Sequence, residues 1–127
     1  MKISMKTRAM AALAVALVSA APAFAHHSYA MFDKQKSVTL TGAVKEFQWT
    51  NPHGWVQLVV RDPATGKDVE WSIQCNSLNL MIREGWSRTS LKAGDQAVVV
   101  IHPLLDGRTG GQLVTITVDG KVLSNLA

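Results

Sequence analysis

The residues of this chain best equipped for chemistry are its four histidines, His26, His27, His53 and His102, and its single cysteine, Cys75. Imidazole is the commonest protein metal ligand. His26 follows Ala23-Phe24-Ala25, the small-residue pattern read by a signal peptidase. Cleavage after Ala25 would make His26 the amino terminus, able to chelate through its α-amine and a ring nitrogen together. Adding His27, His53 or His102 supplies further nitrogen donors. Such a set suits copper(II), with zinc and nickel behind it, because nitrogen sites follow an affinity order that peaks at copper. The α-amine, with a reference pKa of about 7.7 to 8.0, must lose its proton first, so the chelate should weaken below neutral pH.

Plainer roles compete for the same residues. His26-His27 also reads as a disordered tip, His53 as a residue that caps its own Asn51-Pro52-His53-Gly54 turn, and His102 as a locally satisfied strand end. Cys75 reads as a buried small hydrophobe. As the lone cysteine it excludes an intramolecular disulfide.

Other chemistries find less support. Ser28 beside His27 lacks a carboxylate placed to orient a base, so no catalytic residue is assigned and the chain is read as a non-enzyme. The glycines of residues 106–111 do not join a strand to a helix, as a phosphate-binding loop requires. Among the four tryptophans, Trp71 is in phase with Val69 and Ile73 and reads as core. Trp55 is out of phase with Val56 and Leu58, which makes it, with Asn51, the candidate contact for a ligand or partner.

The elements that must position these groups follow an exported leader. Lys2, Lys6 and Arg8 form a basic start and residues 9–20 an apolar run, so residues 1–25 read as a signal peptide. The run is shorter than the roughly 20 residues that span a bilayer, and no later segment is long enough. A soluble periplasmic or secreted product is expected. Removing the leader lowers the formal net charge from +4 to +1, which leaves no electrostatic footprint for nucleic acid.

Residues 26–36 read as an extended arm, and residues 37–127 as one domain. Residues 37–49 form a long first strand whose apolar positions, Leu40 and Val44, shift phase to Phe47 and Trp49, as at a bend or bulge. Val56, Leu58 and Val60, and then Val69, Trp71 and Ile73, alternate with polar residues as a hairpin around the turn at residues 62–66. A short helix follows, with Asn76 or Ser77 as N-cap, Leu78, Met81 and Ile82 on one face, and Gly85 as its stop. Residues 97–101 read as a strand buried on both sides, ending in a loop that begins His102-Pro103. Val114, Ile116 and Val118 form the next strand, and Asp119-Gly120 is a tight turn before Val122 and Leu123. Three strands, a helix and two strands, with the first strand bent, is the order of an OB-like five-stranded β-barrel. In that fold the loops holding His53 and His102 are the usual ligand loops.

The chain resembles a family of small secreted bacterial proteins of unknown function. The resemblance is carried by His26-His27-Ser28-Tyr29-Ala30 with Phe32-Asp33, by Val38-Thr39-Leu40-Thr41-Gly42, by Trp49-Thr50-Asn51-Pro52-His53, and by Gly85-Trp86 with Leu91-Lys92 and Gly94-Asp95. It implies export and a shared site without naming a ligand. Where this chain has Gln74-Cys75-Asn76-Ser77, relatives tend to have a small residue and a proline, so Cys75 is not implied as a shared ligand, and His102 is less firmly implied than the other three histidines. The expectation is a periplasmic binding or accessory protein with a histidine-based copper site and a possible periplasmic protein partner. The alternative is a metal-free module that docks a secreted enzyme or a glycan.

Overall fold

The computed structural model describes residues 29–126. The chain divides into two compact units, Met1–Ala30 and Met31–Ala127, and the second is the β-barrel. Its strands are β1 (Val38–Gln48), β2 (Trp55–Arg61), β3 (Asp68–Gln74), β4 (Gln96–Pro103), β5 (Gly110–Val118) and β6 (Lys121–Ser124), with one helix, α1 (Leu78–Arg83), between β3 and β4. The sheet order is β3-β2-β1-β4-β5-β6, and a parallel β3–β5 pairing closes the first five strands into a barrel. The OB-like topology is therefore present, with β6 added as a sixth strand on β5.

β1 holds the barrel together because it serves two neighbours. Its first half pairs with β4, from Val38 with Ile101 to Ala43 with Gln96, and its second half pairs with β2, from Ala43 with Val59 to Gln48 with Trp55. The change of partner is made at Gly42, where a β-carbon would collide with the Val59 carbonyl. Two positions on, Val44 pairs with Leu58 and Glu46 with Gln57, which leaves Lys45 as the extra residue of a bulge. The bulge lets both Val44 and Phe47 face inward, which is the phase shift visible in the sequence.

The core is the inner face of this curled sheet. Val56, Leu58, Ile73, Val99, Ile101 and Ile116 are fully or almost fully buried. Met81 of α1 is also fully buried, its sulfur lying against the Gly54 backbone. Beyond the helix, Gly85 takes the left-handed conformation at φ 90° that ends it. Trp86 then packs inward, its ring 5.8 Å from Phe47.

Several sequence expectations need correction. Ile82 does not join Leu78 and Met81 inside; it is 57% exposed, because so short a helix anchors through one buried residue. β4 is not buried on both sides: Val99 and Ile101 face inward while Val98 is 43% exposed. On β5 a register shift sets Val100 against Thr115 and Ile101 against Leu113. Val114 is skipped, so Leu113 and Ile116 are the inward pair. The arm is not simply extended. Phe32 forms a bridge with Leu104, is buried, and is flanked by bonds from Asp33 N–H to the Pro103 carbonyl at 2.8 Å and from Leu105 N–H to the Met31 carbonyl at 2.9 Å. Among the described residues no helix is long and apolar enough to cross a membrane.

Candidate functional site

His102 lies where β4 finishes, and because β4 runs parallel to β2 this is the strand end opposite the start of β2. His53, Trp55 and Cys75 gather at the other end, where β2 begins and β3 finishes. The β1–β2 loop is pinned there by the main chain: Cys75 donates its N–H to the Gly54 carbonyl at 2.8 Å, and Gly54 donates to the Asn76 carbonyl at 3.1 Å. Within the loop Thr50 donates its hydroxyl to the His53 carbonyl at 3.0 Å, and the Asn51–Pro52 peptide is cis. His53, half-buried, sets Nδ1 at 3.2 Å from the Cys75 carbonyl. A carbonyl only accepts, so Nδ1 carries the proton and the ring's lone pair lies on Nε2.

His102 repeats the arrangement at the finish of β4, away from the β1–β2 loop. The expected loop position is wrong, because β4 continues through Pro103 and His102 pairs with Gln112 inside the strand. Proline lacks only the N–H, and the Pro103 carbonyl still holds Asp33. The His102 Nδ1 stands 2.7 Å from the Lys36 carbonyl, which again puts the proton on Nδ1 and the lone pair on Nε2.

The ladder fixes how these two histidines relate. His102 pairs with Gln112, Gln112 with Gln74, and Gln74 with Trp55, all on the outer face of the barrel. Trp55 and His102 are thus three strand spacings apart, about 14 Å around the wall. His53, next to Trp55 in the loop, stays on the β2–β3 side while His102 lies against the arm. Among the described residues no three of histidine, cysteine, aspartate or glutamate gather closely enough to hold a metal ion. His26 and His27 lie outside the described residues.

Trp55 is half-buried and lines a cleft of about 180 Å³ with Met31, Phe32, Leu104 and Arg108, so the docked arm covers part of the aromatic that the sequence leaves open. Asn51 is exposed, and its Oδ1 accepts the Leu78 N–H at 3.4 Å. It supports the start of α1, where Ser77 makes no side-chain cap. Cys75 is fully buried. Burial, and then the nearby Glu84 charge, push its thiol up to about 12, so it is no thiolate ligand.

The same end holds a polar set that sequence reasoning missed. Gln74 and Gln112 are buried, and among the described residues the Gln74 Nε2 and Gln112 Oε1 find no hydrogen-bond partner. Gln112 lines a cleft of about 250 Å³ with Lys34, His102, Thr115 and Asn125. Beside it, Asn76 donates Nδ2 to the Leu126 carbonyl at 2.6 Å and to Glu84 Oε1 at 3.3 Å. Burial raises the Glu84 carboxyl above its ordinary value, against the lowering effect of the Leu126 N–H and Asn76. Alternation with Ile73 marks Gln74 as outward and hence wet, whereas Gln112 shares the parity of Val114 and Ile116 and is turned to the outer face only by the register shift between Val100 and Ile101. The signal absent from the sequence is the cover laid over that face by the arm and the chain end.

Residues 13–114 match the family of unknown function DUF6152, and the chain belongs to that family. The matched span contains all four histidines. No curated protein and no solved structure matches the chain.

Proposed function

We propose that this DUF6152 member is an exported periplasmic binding protein that holds a transition metal, copper first, at the barrel end bearing His53. The ligands are the His26 α-amine and ring, His27 and His53; His102, three strand spacings from Trp55 along the wall, lies too far from His53 to share its ion. The observation that carries the reading is the main-chain carbonyl behind each ring, Cys75 for His53 and Lys36 for His102. Metal-bound histidines commonly donate their other ring N–H to such a carbonyl, which fixes the tautomer and aims the lone pair. The docked arm adds a second support. Counted from Met31, five residues reach back to His26, at most about 18 Å of chain.

The test compares mature protein beginning at His26 with the same protein carrying one extra glycine ahead of it. The glycine keeps every side chain and removes the amine from the chelate ring. Calorimetric titration with copper(II) should show one site, weaker by tenfold or more in the extended protein (about 1.4 kcal/mol). Equal affinities would rule out the amino-terminal chelate.

The second reading, a metal-free module that docks a secreted enzyme or a glycan, is favoured by the Trp55 cleft. A docking module keeps its partner when metal is chelated away.

A further inference from the structure

A cleft in the barrel is lined by none of the described histidines, and nothing in the metal reading uses it. It measures about 620 Å³ and is lined by Leu40, Val60, Val69 and Trp71 with the threonines Thr39, Thr41 and Thr109 and the turn residues Arg61, Asp62 and Pro63. Its origin is topological. β3 pairs with β5 only from Ser72 to Gln74, and the Ser72 N–H bond to the Thr109 carbonyl, 3.2 Å, begins that seam. Ahead of it the edge of β3 has no partner strand, and β1 has already left β2 at Ala43. The wall therefore parts, and Trp71, in phase with the core, comes to line an opening instead of being sealed.

The lining selects the occupant. Trp71 and the aliphatic side chains give one apolar surface, and the three threonine hydroxyls give a neutral polar rim. Among the described residues the only lining cation, Arg61, is paired within its own hairpin, at 2.8 Å to the Gly66 carbonyl and 3.4 Å to Asp68. Asp62 likewise accepts the Ala64 N–H at 2.9 Å. Among the described lining residues no further cation is present to neutralise a phosphate, so the lining favours an uncharged ligand over a nucleic-acid backbone. The unpaired stretch of β3 is too short for a bound peptide to build a ladder. An aromatic surface edged by three threonines, with Arg61 and Asp62 opposite in charge, matches a sugar ring, whose C–H face is apolar and whose perimeter is hydroxyl.

We propose that the cleft between β1 and the β2–β3 hairpin is a carbohydrate-binding site, in which a neutral sugar ring stacks on Trp71 and hydrogen-bonds Thr39, Thr41 and Thr109. The site is independent of the histidines. Six residues of β2, about 20 Å, separate its Arg61 from Trp55 at the other end of the strand.

The experiment records amide and indole resonances of the ¹⁵N-labelled mature protein in EDTA while cellotetraose, maltotetraose or chitotetraose is added to millimolar concentration. The expected result is that at least one of them shifts the Trp71 indole N–H and the amides of Thr39, Thr41, Asp62 and Thr109, while the Trp55 indole stays still. Thr109→Val, an exposed substitution outside the core, and Trp71→Phe, which keeps an aromatic ring in place, should each weaken binding by roughly fivefold. No shift with any of the three sugars overturns the proposal. So do shifts centred on Trp55, equal affinity in both variants, or the same shifts produced by oligothymidylate. EDTA keeps the outcome separate from the fate of the copper site.

Discussion

Asn76 donates its main-chain N–H to Asn125 Oδ1 at 2.7 Å, a bond that ties the end of β3 to the end of the chain. The rest of the Asn125 side chain is equally committed: its Nδ2 donates to the Leu113 carbonyl at 2.8 Å. Trp86 adds a third tie by donating its indole N–H to the Ser124 carbonyl at 2.8 Å. The last residues are thus structural, and they complete the cover over Gln112.

Asn125→Ala leaves the Asn76 N–H and the Leu113 carbonyl buried without partners. Each orphaned group costs about 1–3 kcal/mol, so urea unfolding should show a loss of about 2–4 kcal/mol with little change in m-value. A loss under about 0.5 kcal/mol, the range of an ordinary surface change, would show that the tail does not bear on the fold.

Glu84 gives the fold a pH dependence of definite sign. Among the described residues its Oε2 and the Asn76 Oδ1 are both buried acceptors without a partner, and burial raises its folded pKa above the ordinary value of 4.5. A raised folded pKa means that the native state holds the proton more tightly. This contribution to stability is complete below the unfolded value and is lost as pH rises through the folded one. Glu84→Gln keeps the shape without the charge. It should stabilise by about 1 kcal/mol at pH 7 and lose that advantage below pH 4.5. Paired denaturation curves at the two pH values check it; an advantage that grows in acid contradicts it.

These two networks also show where the sequence stops being legible. Alternation and the Val44-to-Phe47 phase shift gave the bent first strand, because inward packing on a strand leaves a period that can be read. The outer face leaves no such mark. Gln74 reads as solvated because what covers that face, residues 31–36 and the chain end, comes from the two extremes of the domain. His102 was misplaced for a related reason: Pro103 looks like a strand terminator until the arm is seen using its carbonyl. Ile82 and Val98 were misread because apolar side chains are also common on protein surfaces. Of the site itself, the residue types and the β1–β2 loop were visible, but the strand position of His102 and the carbonyl behind each histidine were not.

Gly42→Ala should be the most disruptive single methyl addition in β1. Its β-carbon would meet the Val59 carbonyl, a backbone atom that cannot swing aside, at the point where β1 changes partner. The expected loss is about 1–3 kcal/mol, read as a lower midpoint in thermal unfolding. A neutral result would mean that the crossing is looser than this contact implies.

Cys75 should resist an aromatic disulfide reagent in the native state and react in full on unfolding, since its side chain is buried and reaction requires an exposed thiolate. The rate at low denaturant then reports opening of the β1–β2 loop against β3. Fast, stoichiometric reaction of native protein would contradict the pinned loop.

His53→Ala separates a metal ligand from a turn residue, because the two roles weigh differently on stability and on binding. The lost Nδ1 bond to the Cys75 carbonyl should cost about 0.5–1.5 kcal/mol without metal, a modest effect for a half-buried side chain. If His53 is a ligand, copper affinity should fall much further, and the rise in melting temperature that saturating copper gives the wild type should shrink with it. That rise follows from linkage, about 2.7 kcal/mol at a hundred times the dissociation constant. His102→Ala should change both quantities less, because its ring lies three strands away along the row through Gln112 and Gln74. A His53→Ala protein that melts lower without metal yet binds copper as the wild type does would assign His53 to the turn. The metal reading would then rest on His26 and His27 alone.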